Sequence, residues 1–143
     1  IPFTLIFNIK YLSVGVHINM PIFPIDIVCQ FLNAMEARDI VKAKEMLAHD
    51  FEMTFPGGAV FHELEQLIDW SKSRYKSIGK TFEKFDNMSN ENEIVVYCFG
   101  TLSGQGNDGR LFEGIRFVDR FEIVDGKLKS QRVWNDMAEM CSQ

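Results

Sequence analysis

The dipeptide Asp125-Gly126 separates two runs of alternating side chains, Leu111 to Val124 and Lys127 to Asn135, and constrains the fold more than any other feature of the chain. Asp-Gly accepts the tight primed turn that joins neighbouring antiparallel strands, so the spacing predicts a hairpin of two long strands. Two further alternating runs, Thr81 to Met88 and Glu93 to Ser103, come before it, bounded by the turn-forming stretches Ser89 to Asn92 and Gly104 to Gly109. Ahead of these the period changes. Ile27, Val28, Phe31, Leu32 and Met35 share one face of a helix, with Asp26 placed to cap it. Ile40, Ala43, Met46 and Leu47 mark a short second helix over Ile40 to Leu47, and Leu64, Leu67, Ile68 and Ser71 a third from Glu63 to Ile78, with Gly79 as its stop. Arg74 and Lys80 then complement the dipole at the end of that helix. Between the second and third helices Phe51 to Phe55 alternates as a strand, turns at Pro56-Gly57-Gly58 and resumes over Ala59-Val60-Phe61.

Helices first and consecutive antiparallel strands last is an α+β order. The expected architecture is a cone-shaped, curved antiparallel sheet with three N-terminal helices against one face. At 143 residues the chain is the size of one domain. Residues 1–19 are expected to be an N-terminal extension ahead of a natural start at Met20, and residues 20–143 a single domain. Lys10 and His17 interrupt the apolar run of the extension, so no membrane span is expected there.

The net charge of −5 speaks against a nucleic-acid partner, which a concentrated basic surface would be needed to hold. Cys29, Cys98 and Cys141 show neither disulfide nor metal-ligand spacing, and a reducing, cytoplasmic setting with no metal and no cofactor is expected. The 13 phenylalanines suit either a dense core or an apolar cavity.

One carboxylate stands out. Ile115, Phe117, Asp119, Phe121 and Ile123 share one face of a strand, and only Asp119 among them is polar. Desolvation there favours the neutral carboxyl unless a hydrogen bond or cation compensates. Asp119 is therefore either an acid or base for proton transfer, or a structural acceptor that fixes strand register. Asn135 is a ligand-orienting amide or a strand-end turn residue, and Trp134 beside it flanks the same region. His62, at the entrance to the third helix, is a further acid/base candidate. Neither glycine cluster has the lysine and following helix of a phosphate loop.

Phe117-Val118-Asp119-Arg120-Phe121, Asp125-Gly126-Lys127 and Val133-Trp134-Asn135-Asp136, in this order of elements, resemble the SnoaL-like branch of the nuclear transport factor 2-like superfamily over about Ile25 to Glu139. The resemblance implies a cone-shaped α+β fold, a homodimer through the outer sheet face, and relatives among polyketide cyclases and ketosteroid isomerases. It places Asp119 where those enzymes hold a pocket aspartate. The positions of the isomerase tyrosine and of its proton-shuttling aspartate read Phe31 and Phe55, which removes the two-group enolisation pair. The expectation is a small, apolar, carbonyl-bearing ligand held by Phe31, Met35, Phe55, Trp70, Tyr97, Phe99, Phe117, Phe121 and Trp134, with isomerase- or cyclase-like proton transfer at Asp119. The alternative is a non-catalytic binding or dimerisation module in which Asp119 is structural.

Overall fold

A computed structural model describes residues 23–140. The expectations for residues 1–19, for Met20 and for Cys141 lie outside the described residues.

The chain runs α1 (Pro24–Glu36), α2 (Ile40–Glu45), β1 (Leu47–Phe55), β2 (Ala59–Phe61), α3 (Leu64–Lys72), β3 (Ser77–Ser89), β4 (Ile94–Gln105), β5 (Leu111–Val124), β6 (Lys127–Asn135) and α4 (Met137–Met140). The six strands form one curved sheet in the order β2-β1-β6-β5-β4-β3. All neighbours are antiparallel except β1 and β6, which run parallel, so the expected antiparallel sheet is in fact mixed. The α+β class and the three preceding helices are as the sequence pattern indicates, and the short α4 is added beyond them.

α1 starts with Pro24, which lacks the N–H that a first helical position leaves unused. Asp26 sits in the first turn and makes no cap there, so its contribution is to the helix dipole. Ile27, Val28, Phe31 and Leu32 are buried against the inner sheet face. Asp39 caps α2, its carboxylate accepting the Lys42 N–H at 3.1 Å.

α3 ends at Lys72, well before Gly79. Ser71 Oγ donates to the Ile68 carbonyl at 2.7 Å, Ser73 Oγ to Trp70 at 2.9 Å, and Asn107 Nδ2 to Lys72 at 3.0 Å. The last two satisfy carbonyls that another helical turn would have used. Residues 77–80 pair instead with Leu102 to Gln105 of β4, so Gly79 and Lys80 are strand residues. Lys80 therefore has no part in capping the helix.

The inner face carries the core. Phe31 meets Phe51 and Phe121 edge-on, with ring centroids 6.0 and 6.1 Å away. On β4 the residues opposite Ile115, Phe117, Asp119, Phe121 and Ile123 are Leu102, Gly100, Cys98, Val96 and Ile94. Gly100 is obligatory there: a Cβ would stand 2.0 Å from the Thr81 carbonyl oxygen of β3.

Candidate functional site

α1 and α3 stand off the inner face over β3 and the end of β6, and a cavity remains between them. It has two lobes that share Phe55, Tyr75, Ile78 and Lys80. The larger encloses about 770 Å³ with its open mouth included, and Phe31, Met35, Leu67, Ile68 and Phe82 line it. The smaller, about 480 Å³ on the same basis, is walled by Trp70, Phe117, Val133 and Asn135.

Lys80 is the polar centre. Its parity on β3 sets it opposite Leu102, on the inner face. The ammonium donates to Asp119 Oδ2 in a short contact and lies 4.5 Å from the centroid of the Phe117 ring. Its side chain is 24% exposed, whereas that of Asp119 is completely buried. Gln131, on the neighbouring strand β6, adds its Nε2 to the same carboxylate oxygen at 3.5 Å. Lys80 and Gln131 line the larger lobe and Asp119 does not, so the carboxylate lies behind them. A buried charge of either sign is costly alone, and here each offsets the other. Asp119 Oδ1 and Gln131 Oε1 are buried without a hydrogen-bond partner among the described residues.

Several predicted site residues come together here. Phe31, Met35, Phe55, Trp70, Phe117 and Asn135 all line one lobe or both. Asn135 also makes the strand-end turn, its Oδ1 accepting the Met137 N–H at 3.1 Å. Phe121 is buried behind Phe31 and does not line the cavity. Tyr97 and Phe99 pair with Arg120 and Val118, and Trp134 pairs with Val118, which puts all three on the outer face. Strand alternation is the reason: they are one residue out of step with Val96, Cys98 and Val133. His62 is exposed between β2 and α3 and contributes to neither lobe.

The sequence reading missed Lys80, Gln131 as a cavity group, and Glu36 at the mouth of the larger lobe. A bulge between Phe82 and Lys84 hides the first. Phe82 and Phe85 both face inward across it, so counting back in twos from Phe85 assigns Lys80 to the wrong face.

Cys98, opposite Asp119, has its thiol pushed up to about 12, chiefly by burial and then by the Asp119 charge, so it supplies no nucleophile. Among the described residues no cluster of His, Cys, Asp and Glu could hold a metal ion, and no helix is long and apolar enough to cross a membrane.

Residues 28–131 match the family model of the SnoaL-like domain. The sequence matches none of the curated proteins. Among solved structures, an NTF2-like protein of unknown function from Burkholderia pseudomallei K96243 aligns with a TM-score of 0.66 at 20% identity, over 82% of this chain and 94% of its own. A candidate SnoaL-like polyketide cyclase from Jannaschia sp. CCS1 aligns at 0.64 and 15% identity, over 86% and 95%. A candidate ketosteroid isomerase from Shewanella frigidimarina NCIMB 400 aligns at 0.62 and 16% identity, over 76% and 92%. At these identities the likeness is one of fold.

Proposed function

Because this chain belongs to the SnoaL-like domain family, we propose that it binds a small, largely apolar molecule through a carbonyl oxygen that accepts a hydrogen bond from Lys80. One observation carries the reading: the two lobes of the cavity share the ammonium of Lys80, whose charge is balanced from behind by the buried Asp119. A hydrogen bond from a charged donor in such surroundings is stronger and more selective than one made in water. Asp119 thus serves the ligand through Lys80, by holding the ammonium in place.

The test is a matched pair of ligands, acetophenone and ethylbenzene, titrated into the protein and followed by amide NMR shifts. Acetophenone is expected to bind about tenfold more tightly, and Lys80→Met to erase the difference. Equal binding of the two by the wild-type protein overturns the reading.

Glu36 favours a second reading, proton transfer of the isomerase or cyclase kind. It is the carboxylate among the residues lining the larger lobe. Lys80 polarising a carbonyl acidifies the adjoining C–H, and Glu36 is the group on the cavity wall that can accept that proton. Deuterium uptake into the acetophenone methyl group in D2O, lost in Glu36→Gln with binding retained, supports it. No uptake above the buffer rate leaves a binding module.

We also propose a homodimer through the outer sheet face. Phe99, Val118 and Trp134 form a row across β4, β5 and β6 there, and Val118 and Trp134 are 38% and 52% exposed. Light scattering after size-exclusion is expected to give twice the mass of the chain at micromolar concentration, and a monomer on Trp134→Glu.

A further inference from the structure

The two lobes differ in charge. Arg74 and Lys80 are the charged groups on the wall of the smaller lobe and no carboxylate borders it, whereas Glu36 and Arg38 stand together among the residues of the larger. The charge of Lys80 is answered by Asp119. That of Arg74 is not: among the described residues its guanidinium makes no ion pair and no hydrogen bond. It leans over the Trp70 ring, 4.4 Å from the centroid, and Trp70 in turn meets Phe55 edge-on, their centroids 5.7 Å apart. Both rings wall this lobe, and Arg74 is exposed, so its N–H groups are open to a ligand entering there. The basic residue in the last turn of α3 is Lys72, which leaves Arg74 free of a capping role. Asn135 adds a donor to the same wall: its Oδ1 is taken by the Met137 N–H, and its Nδ2 is the end of the amide without a partner among the described residues.

We infer that the ligand is a keto acid, its carbonyl oxygen on Lys80 and its carboxylate held by Arg74 above the Trp70 ring. The inference rests on the carbonyl-binding reading of this cavity and narrows it to a substrate class. A guanidinium presents its donors in a planar fork that matches the two oxygens of a carboxylate. The indole beneath it limits the directions in which it can turn, so less freedom is lost on binding. A phosphate fits less well, because its second charge would have to be desolvated beside Phe55, Ile78, Leu102, Phe117 and Val133. A ligand amine would meet two cations and no anion on this wall.

Three compounds that share a phenyl ring and a butyrate chain provide the test: β-benzoylpropionate, its methyl ester, and γ-phenylbutyrate, which lacks the ketone. Titrated calorimetrically at low ionic strength, the keto acid is expected to bind wild-type protein about tenfold more tightly than its ester, with the gap narrowing as salt is added. Arg74→Gln should bring the keto acid to the level of the ester, and Arg74→Lys should restore part of the gap. Arg74 is an exposed residue, so neither substitution strikes the core. Equal affinities of acid and ester in the wild-type protein, or a preference for the acid that survives Arg74→Gln, overturn the inference and leave the carbonyl reading standing. Binding of γ-phenylbutyrate as tight as that of the keto acid overturns the carbonyl reading and leaves a site for the carboxylate alone. Binding of none of the three up to its solubility overturns both.

Discussion

Lys80 and Asp119 are each tolerable in this interior because of the other. With Lys80 removed, Asp119 keeps only the longer contact from Gln131, and a buried carboxylate without its cation is a severe defect. Lys80→Met is therefore expected to lower unfolding stability by about 3 kcal/mol in urea denaturation. The double variant Lys80→Met with Asp119→Asn should recover much of that loss, since a neutral amide replaces an unpaired charge. Strict additivity of the two single changes would show that the residues do not act as a pair. The same contact bears on function, because an ammonium held by a buried carboxylate presents its remaining N–H groups to the cavity in a fixed direction.

At the level of elements, the bulge in β3 and the glycines of β4 belong together. Where β3 carries an extra residue between Phe82 and Lys84, its backbone swings close to Gly100, and Gly104 meets the Ser77 carbonyl oxygen in the same way, 2.1 Å from where a Cβ would be. Gly100→Ala must displace backbone and is expected to cost about 3 kcal/mol, read as a lowered thermal midpoint with the far-ultraviolet spectrum unchanged at low temperature. That bulge also decides what could be read from the sequence. The bounds of β5 and β6 follow from the alternation on either side of Asp125-Gly126, and the inward face of Asp119 follows with them. The end of α3 does not, because the helical period continues past Lys72, while Ser73 binds back to Trp70 locally and Asn107, from the β4–β5 turn, takes the Lys72 carbonyl through a tertiary contact. Lys80 was lost on both counts: it follows a misjudged helix end and precedes a bulge. Tyr97, Phe99 and Trp134 show the opposite limit, since aromatic character alone says nothing about which side of a sheet a residue faces.

Across the whole molecule, the two faces of the sheet have separate chemistry. Among the described residues the inner face holds the Lys80–Asp119 pair, whereas the outer face carries a half-buried network in which Arg120 donates to Glu122 at 2.5 Å and Ser130 Oγ donates to Glu122 at 3.0 Å. The Arg120 hydrogen bond, joined by that of Ser130, holds the Glu122 carboxyl below its ordinary value of 4.5 against a smaller opposing effect of burial. A carboxyl with a lowered folded-state pKa binds fewer protons folded than unfolded. Its contribution is therefore complete above the ordinary value and is lost as pH falls through the folded value. Denaturation midpoints are expected to drop as pH is taken below 4.5, with a shallower acid limb in Glu122→Gln. An identical slope in that variant would place the acid sensitivity elsewhere.

The parallel pairing of β6 with β1 has a consequence for how the protein comes into being. β6 lies between β1 and β5, so a strand near residue 130 closes a sheet whose other half was synthesised some eighty residues earlier. During translation β1 and β2 wait as an isolated ribbon and β3, β4 and β5 as a meander whose β5 edge is still open, each unable to complete the layer that α1 and α3 must cover. A nascent chain halted at Gly126 would hold α1 and α3 and still lack the strand that joins the two partial sheets beneath them.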